Sequence, residues 1–368
     1  MKVILAAGGS GGHIFPSVAL AHELEKKGLR DIFFVSSKRR LDRNILKDVG
    51  HECFFLSVNP MPLRFRPLRV IGFILKIITD TFASLYILAR VKPDVVVGFG
   101  GYSSGTIVAL AKMFRIPVLI HEQNLLPGRA NRILSRFADR IATSFPGSGK
   151  YFQTAGKNVV YSGNPLRVDM LSNDRRRSAE RLGLDPDKFT VLVMGGSQGS
   201  TFLNRTASEA AKLISDQKGG SIQFVHLTGR NDIEQVREYY RLNAISAKAF
   251  SFLDQVDDAY AVSDLAISRS GAAAVFELAL YGKPMILIPY PNPKNNQRYN
   301  AKYFQEAGAA LYREEKALTS RGLAEDVVGL VEDERKRSSI SRAAKSLSVP
   351  DAGRKLAEEV IKLANENE

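Results

Sequence analysis

Cysteine is almost missing from this chain: Cys53 is the single one in 368 residues. One cysteine excludes an internal disulfide and any cysteine-built zinc cluster, and such poverty suits a reducing compartment. No histidine falls in an HExxH pair, so the sequence offers no metal-ligating set. Long uncharged apolar runs are missing too. The most apolar stretch, Val70–Leu88, has Lys76 and Asp80 inside it and Arg90 just beyond, which argues against a plain membrane span. The opening run Val3–Ala7 is strand-sized and ends in glycines, so no secretory leader is expected there. Acidic residues are scarce in one half only. Residues 1–163 hold 23 Lys and Arg against 10 Asp and Glu, whereas residues 164–368 hold 29 against 28. The asymmetry points to a polyanion or an anionic membrane facing the first half, with a merely solubilising surface as the plainer reading.

Glycine is plentiful where it matters. Three similar turns occur: GGSGGH at Gly8–His13, GFGGYSSG at Gly98–Gly105 and GGSQGS at Gly195–Ser200. Each follows a short apolar strand and precedes a helical segment. A helix that begins on glycines turns unpaired amides and the positive end of its dipole outward, which favours an anion such as phosphate. GSGK at Gly147–Lys150 is no P-loop, because Ser144 stands where the leading glycine should be, and GGSGGH departs from the dinucleotide GxGxxG spacing.

At 368 residues the length suits about two domains. Val3–Ala7 reads as a buried strand, Phe15–Lys27 as a helix ending at Gly28, and Asp31–Ser36 as the next strand. Strands continue at Asp94–Gly98, Pro117–His121 and Arg140–Thr143, and the alternation restarts at Thr190. This pattern means parallel sheets with helices on both faces and ligands beyond the carboxyl ends of the strands. The boundary is expected near Gly163-Asn164-Pro165, with the last helix, Asp351–Ala364, packing back on the first domain.

Residues 59–90 stand apart. Pro60–Arg69 interleaves Leu63, Phe65 and Leu68 with Arg64, Arg66 and Arg69. That stretch reads as an interfacial membrane anchor, or else as an ordinary surface loop. In the helix after it, Val70, Ile71, Ile74, Ile77, Ile78, Phe82 and Leu85 form a stripe expected to face the core.

His13 closes the first glycine turn, where a histidine is suited to act as a base, to bind phosphate or to cap the helix. His121-Glu122-Gln123-Asn124 ends an apolar strand; four polar side chains there are expected to serve a sugar rather than packing. Asn204 follows the third glycine turn, and Arg269-Ser270-Gly271 forms another phosphate-type turn. Glu277, amid AAAVFELAL, needs a partner, for which the two hydroxyls of a ribose are suited; a solvated helix face is the other reading. Asn296 and Gln297 follow PMILIPYP within reach of sugar hydroxyls.

Taken in order, GGSGGHIFPSVALA, GFGGYSSG, HEQN with PGRAN two residues on, GNPLR, GGSQGS, SRSGAAAVFE and NQRYNA resemble the MurG family of bacterial glycosyltransferases. These enzymes convert lipid I to lipid II in peptidoglycan synthesis. The resemblance spans residues 8 to 301. It implies a GT-B architecture: two Rossmann-like, doubly wound parallel-sheet α/β domains with a deep interdomain cleft. Residues 1–163, joined by the C-terminal helix within 346–368, would bind acceptor and membrane, and residues 164–345 would bind UDP-N-acetylglucosamine (UDP-GlcNAc).

Carried onto matching positions, the resemblance makes Glu277 the ribose ligand and the backbone near Leu253 the uracil contact. Arg167, Ser197, Gln198 and Ser270 would surround the diphosphate, with Asn124 and Gln297 at the sugar and Ser10, Gly11 and Gly12 completing the donor set. His13, as base, with His121 and Glu122 forms the catalytic set, and Gly101 and Tyr102 join His13 on the acceptor side. Leu63, Arg64, Phe65, Arg66, Leu68, Arg69 and Phe73 would meet the membrane. Asn296 replaces one of a family glutamine pair, and Leu125 and Arg129 also depart from the family. The implied reaction inverts the donor's anomeric centre and needs no resident cofactor or metal, although a divalent cation could stimulate it. Implied partners are lipid I, the anionic cytoplasmic face of the plasma membrane, to which the protein would bind peripherally, and other cell-wall and division proteins. No nucleic acid is expected, because a nucleic-acid binder would leave the glycine turns and HEQN unexplained. A diacylglycerol glycosyltransferase and a UDP-GlcNAc epimerase are the competing enzyme readings.

Overall fold

The computed structural model describes residues 1–57, 67–152, 158–166, 174–196, 198–292 and 296–366, with side chains from Ile71 onward in the helix that begins at Pro67. It divides into two compact units, Met1–Arg167 with Val349–Glu368, and Val168–Ser348.

In the first unit the order is β1 (Val3–Ala7), α1 (Gly11–Lys26), β2 (Ile32–Ser37), α2 (Arg40–Leu46), β3 (Glu52–Leu56), α3 (Pro67–Val91), β4 (Val95–Gly100), α4 (Ser103–Met113), β5 (Val118–Glu122), α5 (Arg129–Leu134), β6 (Arg140–Thr143) and β7 (Asn158–Tyr161). The sheet runs β3-β2-β1-β4-β5-β6-β7, and its pairings are parallel. Inner strands are wholly buried because helices cover both faces, which is why VILAA and VVVGFG are continuous rather than alternating runs. Strand order reverses between β1 and β4, so the turns that follow these two strands meet at one switch point.

The second unit repeats the plan with α6 (Arg175–Leu182), β8 (Phe189–Met194), α7 (Thr201–Lys218), β9 (Ile222–Leu227), α8 (Ile233–Leu242), β10 (Ala247–Phe250), α9 (Val256–Val262), β11 (Leu265–Ser268), α10 (Ala272–Leu280), β12 (Met285–Leu287), α11 (Gln297–Glu306), β13 (Leu311–Tyr312), α12 (Ser320–Glu332) and α13 (Glu334–Ser346). Its sheet runs β10-β9-β8-β11-β12-β13, with the switch between β8 and β11.

The final helix, α14 (Ala352–Asn365), belongs to the first unit. Leu356, Ala357, Val360, Leu363 and Ala364 recur at helical spacing and are buried in the same core as Val18, Leu20 and Leu24 of α1. Gly353 lets the helices close, since a Cβ there would meet Glu23 Cγ at 3.0 Å. Buried Arg140 of β6 ties the helix down through Glu359 at 2.9 Å and Glu366 at 2.8 Å.

Helix α3 corrects one expectation. Ile71, Ile74, Leu75, Ile78, Phe82 and Tyr86 are between 45% and 67% exposed, so the stripe expected in the core faces outward. Ile77 and Leu85 are half-buried, and the Val70 side chain lies outside the described residues. The cause is a helix that is apolar on two faces. Ile87, Leu88 and Val91 take the sheet side. Buried Asp80 accepts the Ser57 amide at 2.8 Å, and buried Ser84 shares a hydrogen bond with Thr106. Ile71–Val91 is by length and composition long enough to cross a membrane. Its last turns are nevertheless anchored in the sheet core, and Arg90 pairs with Glu52 of β3 at 2.7 Å.

Candidate functional site

At the first switch point the turns after β1 and β4 touch. Gly101 has φ +84°, and a Cβ there would collide with the Gly8 carbonyl oxygen, so only glycine fits. Asp42 of α2 fixes the first turn: its buried Oδ2 accepts from Gly9 N at 2.8 Å, Ser37 Oγ at 2.5 Å and Ser36 Oγ at 3.2 Å. Arg39 donates to the Gly9 carbonyl at 3.2 Å. Around these groups lies a cavity of about 180 Å³ lined by Gly8, Gly9, Ser10, His13, Ser37, Arg39, Gly101, Tyr102 and Ser103. Gly11 and Gly12 open α1, and Ser103 opens α4, so two helix N-termini with unpaired first amides converge here. The buried Ser103 hydroxyl has no hydrogen-bond partner. Arginine, two positive helix ends and a spare donor give this cavity the chemistry that suits an anion. Ser10 of the donor set, and Gly101, Tyr102 and His13 of the acceptor set, therefore share one cavity. Gly8–Gly12 and Gly195–Gly199 both spell G-x-S-x-G. Ser10 has φ −160° and ψ 154°, relaxed extended backbone rather than a strained nucleophile elbow.

The HEQN segment turns inward. His121, Glu122 and Gln123 are all buried, and Asn124 is half-buried. This corrects the expectation for His121, Glu122 and Gln123, which are packing material because their hydrogen bonds are met within the protein. Glu122 accepts from Asn124 N at 2.8 Å, Asn124 Nδ2 at 3.1 Å, Gly128 N at 3.1 Å and Asn131 Nδ2 at 2.8 Å. A carboxylate so enclosed shapes the loop between β5 and α5. His121 Nε2 lies 3.2 Å from the Gly163 carbonyl, and burial pushes its imidazole down to about 4, against the raising effect of that bond. Gln123 joins His121 to His13: its Nε2 is 3.1 Å from His121 Nδ1, and its Oε1 is 2.9 Å from His13 Nδ1. His13, half-buried in the first turn of α1, is the member of the expected catalytic set that lines the cavity.

In the second unit, Gly199 at φ +75° passes so close to Thr228 that a Cβ would strike its carbonyl. Ser200 caps α7 by accepting from Leu203 N at 3.3 Å. Buried Arg269 donates to Ser200 Oγ at 2.5 Å and to the Ile288 and Pro289 carbonyls, and pairs with Glu315 at 2.5 Å. It thereby locks the turn after β8 to the turn after β11, the same switch-point arrangement. Ser270 Oγ donates to the Gln297 carbonyl at 2.9 Å, and Gln297 Oε1 accepts from Tyr290 N at 3.0 Å, so these two expected donor residues are joined. Asn296 sits at the N-terminus of α11. Half-buried Glu277 accepts from the Tyr260 hydroxyl at 2.6 Å, a partner within the protein that the sequence did not suggest. Asn204 is a buried brace, holding Thr228 O and Asp232 at 2.8 Å each and facing His226 Nε2 at 3.1 Å. Gln198 is exposed, and Leu253 is half-buried in the loop between β10 and α9. Ser197, Arg167, Leu63, Arg64, Phe65 and Arg66 lie outside the described residues, as do the Leu68 and Arg69 side chains; Phe73 is half-buried. Among the described residues no group of three or more His, Cys, Asp or Glu side chains is placed to hold a metal ion.

Residues 3–143 match the glycosyltransferase family 28 N-terminal domain and residues 190–356 its C-terminal domain. The chain belongs to glycosyltransferase family 28. Within that family it is similar to the UDP-N-acetylglucosamine–N-acetylmuramyl-(pentapeptide) pyrophosphoryl-undecaprenol N-acetylglucosamine transferase of Desulfotalea psychrophila, at 34% identity over 100% of this chain and 98% of the relative. It is also similar to the Syntrophus aciditrophicus enzyme of the same name, at 38% identity over 89% of each chain. Among solved structures, Acinetobacter baumannii MurG superposes with TM-score 0.76 and 26% identity, over 98% of this chain and all of that one. A UDP-GlcNAc 2-epimerase from Neisseria meningitidis shares the fold, with TM-score 0.71 at 15% identity over 98% of this chain and all of that one. The family-28 assignment makes the two units a GT-B pair of parallel-sheet α/β domains.

Several residues of this family-28 site escaped the sequence reading. Arg39 follows β2 in the run Lys38-Arg39-Arg40, and Ser103 stands inside GYSSG, so both carried a weak signal. Gln123 was visible only as part of HEQN. Tyr260 had none, because its bond to Glu277 joins two helices across 17 residues.

Proposed function

We propose that this glycosyltransferase moves N-acetylglucosamine from UDP-GlcNAc to the 4-hydroxyl of the muramyl sugar in undecaprenyl-pyrophosphoryl-N-acetylmuramyl-pentapeptide, inverting the donor's anomeric carbon. The observation that carries the reading is the match, over the whole chain, to curated transferases of that printed name. The anion cavity of the first unit supports it, since a lipid-linked pyrophosphate acceptor brings the charge that Arg39 and the starts of α1 and α4 suit. In the reaction the acceptor O4 bonds to the sugar C1 as the bond from C1 to the UDP oxygen breaks. The electron pair leaves on UDP, and His13 Nε2 takes the O4 proton. The starts of α7 and α10 stabilise the leaving diphosphate, and Glu277 accepts from the ribose.

The outward apolar face of α3 and the arginines of residues 60–69 support peripheral attachment to the cytoplasmic face of an anionic membrane. No resident cofactor is required in this reading. A divalent cation from solution acts only on the donor's diphosphate, so EDTA should lower turnover by no more than about tenfold and magnesium should restore it; complete loss would reverse that part.

The test is transfer of labelled N-acetylglucosamine with a lipid I analogue and diacylglycerol offered in parallel. Label on the muramyl lipid alone supports the proposal. Label on diacylglycerol, or an epimerised sugar from donor alone, overturns it.

A further inference from the structure

Gln123 is buried, and its two carbonyl contacts fix which of its amide atoms is which. Its Nε2 lies 3.1 Å from two carbonyl oxygens, those of Phe99 and His121. A carbonyl only accepts, so this atom is the amide nitrogen, and turning the side chain over would set oxygen against oxygen. The atom facing His13 Nδ1 at 2.9 Å is therefore the amide oxygen, which also only accepts. His13 Nδ1 must donate. We propose that Gln123 is a positioning residue that fixes His13 in the Nδ1–H tautomer, leaving Nε2 as the proton-accepting atom.

The same logic runs outward from Gln123 in the other direction. Its Nε2 also lies 3.1 Å from His121 Nδ1; an amide nitrogen cannot accept, so that ring nitrogen carries no proton and at most shares one of the two amide protons already directed at the carbonyls. The His121 proton then sits on Nε2, where the Gly163 carbonyl at 3.2 Å takes it, and Ser144 Oγ, which donates its own proton to Asn164 Oδ1 at 3.0 Å, lies 3.4 Å away. Burial of His121 keeps that ring neutral, so the order of donors does not reverse near neutral pH. The order begins at Gly163, on the loop that leaves β7, and ends at His13 on α1. Four backbone-anchored segments thus decide which nitrogen of one half-buried ring carries a proton. A free imidazole exchanges between both tautomers, and only the one with a bare Nε2 suits the base role proposed above, on which this inference rests.

The test uses the full-length protein labelled with [15N]histidine, its ring nitrogens read by long-range 1H–15N NMR and the His13 signals assigned by their loss in His13→Ala. In the wild type His13 should show a protonated Nδ1 and a bare Nε2; a protonated Nε2 overturns the proposal without any Gln123 variant having to fold. In Gln123→Leu, checked for fold by circular dichroism, the His13 proton should move to Nε2. Its kcat should fall on the order of 100-fold, with the KM for UDP-GlcNAc within about twofold of wild type. A retained tautomer or an unchanged kcat overturns the positioning role. Wild-type turnover in His13→Ala would instead sink the base reading, and the tautomer would still be readable in the spectrum.

Discussion

Truncating the outward face of α3 separates two accounts of that helix. In the double variant Ile78→Ala and Phe82→Ala, the lost groups are those that the structure leaves 45% and 67% exposed. An aromatic side chain carries roughly 200 Å² of surface, so Phe82 leaves about 130 Å² outside, worth about 3 kcal/mol when fully withdrawn from water. Ile78 adds about 1 kcal/mol on the same scale. An interfacial helix enters only the headgroup and upper acyl region, so about half of this total, near 2 kcal/mol, should be realised at a membrane. That corresponds to roughly a 30-fold loss in partitioning onto vesicles containing anionic lipid, read by co-sedimentation. Folding should hardly notice, because truncating exposed groups leaves no cavity; Tm should stay within about 2 °C. Were the stripe core, the same pair would cost on the order of 6 kcal/mol and lower Tm by more than about 12 °C. Undiminished sedimentation refutes membrane docking by this face. A collapsed Tm refutes the outward orientation itself.

Removing the Glu277 carboxylate by Glu277→Ala should raise the KM for UDP-GlcNAc about 10- to 100-fold with kcat changed far less, the loss of one or two hydrogen bonds to a charged group; an unchanged KM counts against the ribose role. Gly101→Ala puts a methyl against the Gly8 carbonyl at φ +84°, so it should destabilise by about 2 kcal/mol or more and cut turnover, and a variant with wild-type Tm and rate contradicts the close approach. Burial pushes His226 down to about 3 and His121 to about 4, from an ordinary value of 6.5. The unfolded chain therefore binds protons first as pH falls below about 6.5, and at about 1.4 kcal/mol per pH unit per histidine stability should drop by about 6 kcal/mol by pH 4. Urea melts at pH 7 and pH 4.5 read this directly. A His226→Gln variant should flatten part of the slope, and an equally steep slope in that variant argues against His226 as a source.

Sequence made the scaffold legible where one interaction dominates. VILAA and VLVMGG could only be inner strands, and glycines after them could only be turns, because continuous apolar runs and positive φ leave little choice. Helix α3 was misjudged because its apolar residues occupy two faces, and periodicity does not say which face meets the sheet. His121, Glu122 and Gln123 were misjudged for a different reason. A buried polar side chain is satisfied by partners distant in the chain, here Asn131, Gly163 and His13, the last 110 residues from Gln123. Residue type suggested chemistry at these positions, but whether an atom faces substrate or backbone is decided by tertiary contacts alone.

The most direct measurement is product analysis of a single reaction containing the protein, UDP-GlcNAc and a short-chain lipid I analogue in detergent. Transfer with inversion predicts one UDP released for each disaccharide lipid formed, joined by a β-1,4 bond. UDP released without disaccharide, an α-linked product, or an epimerised sugar would contradict the account.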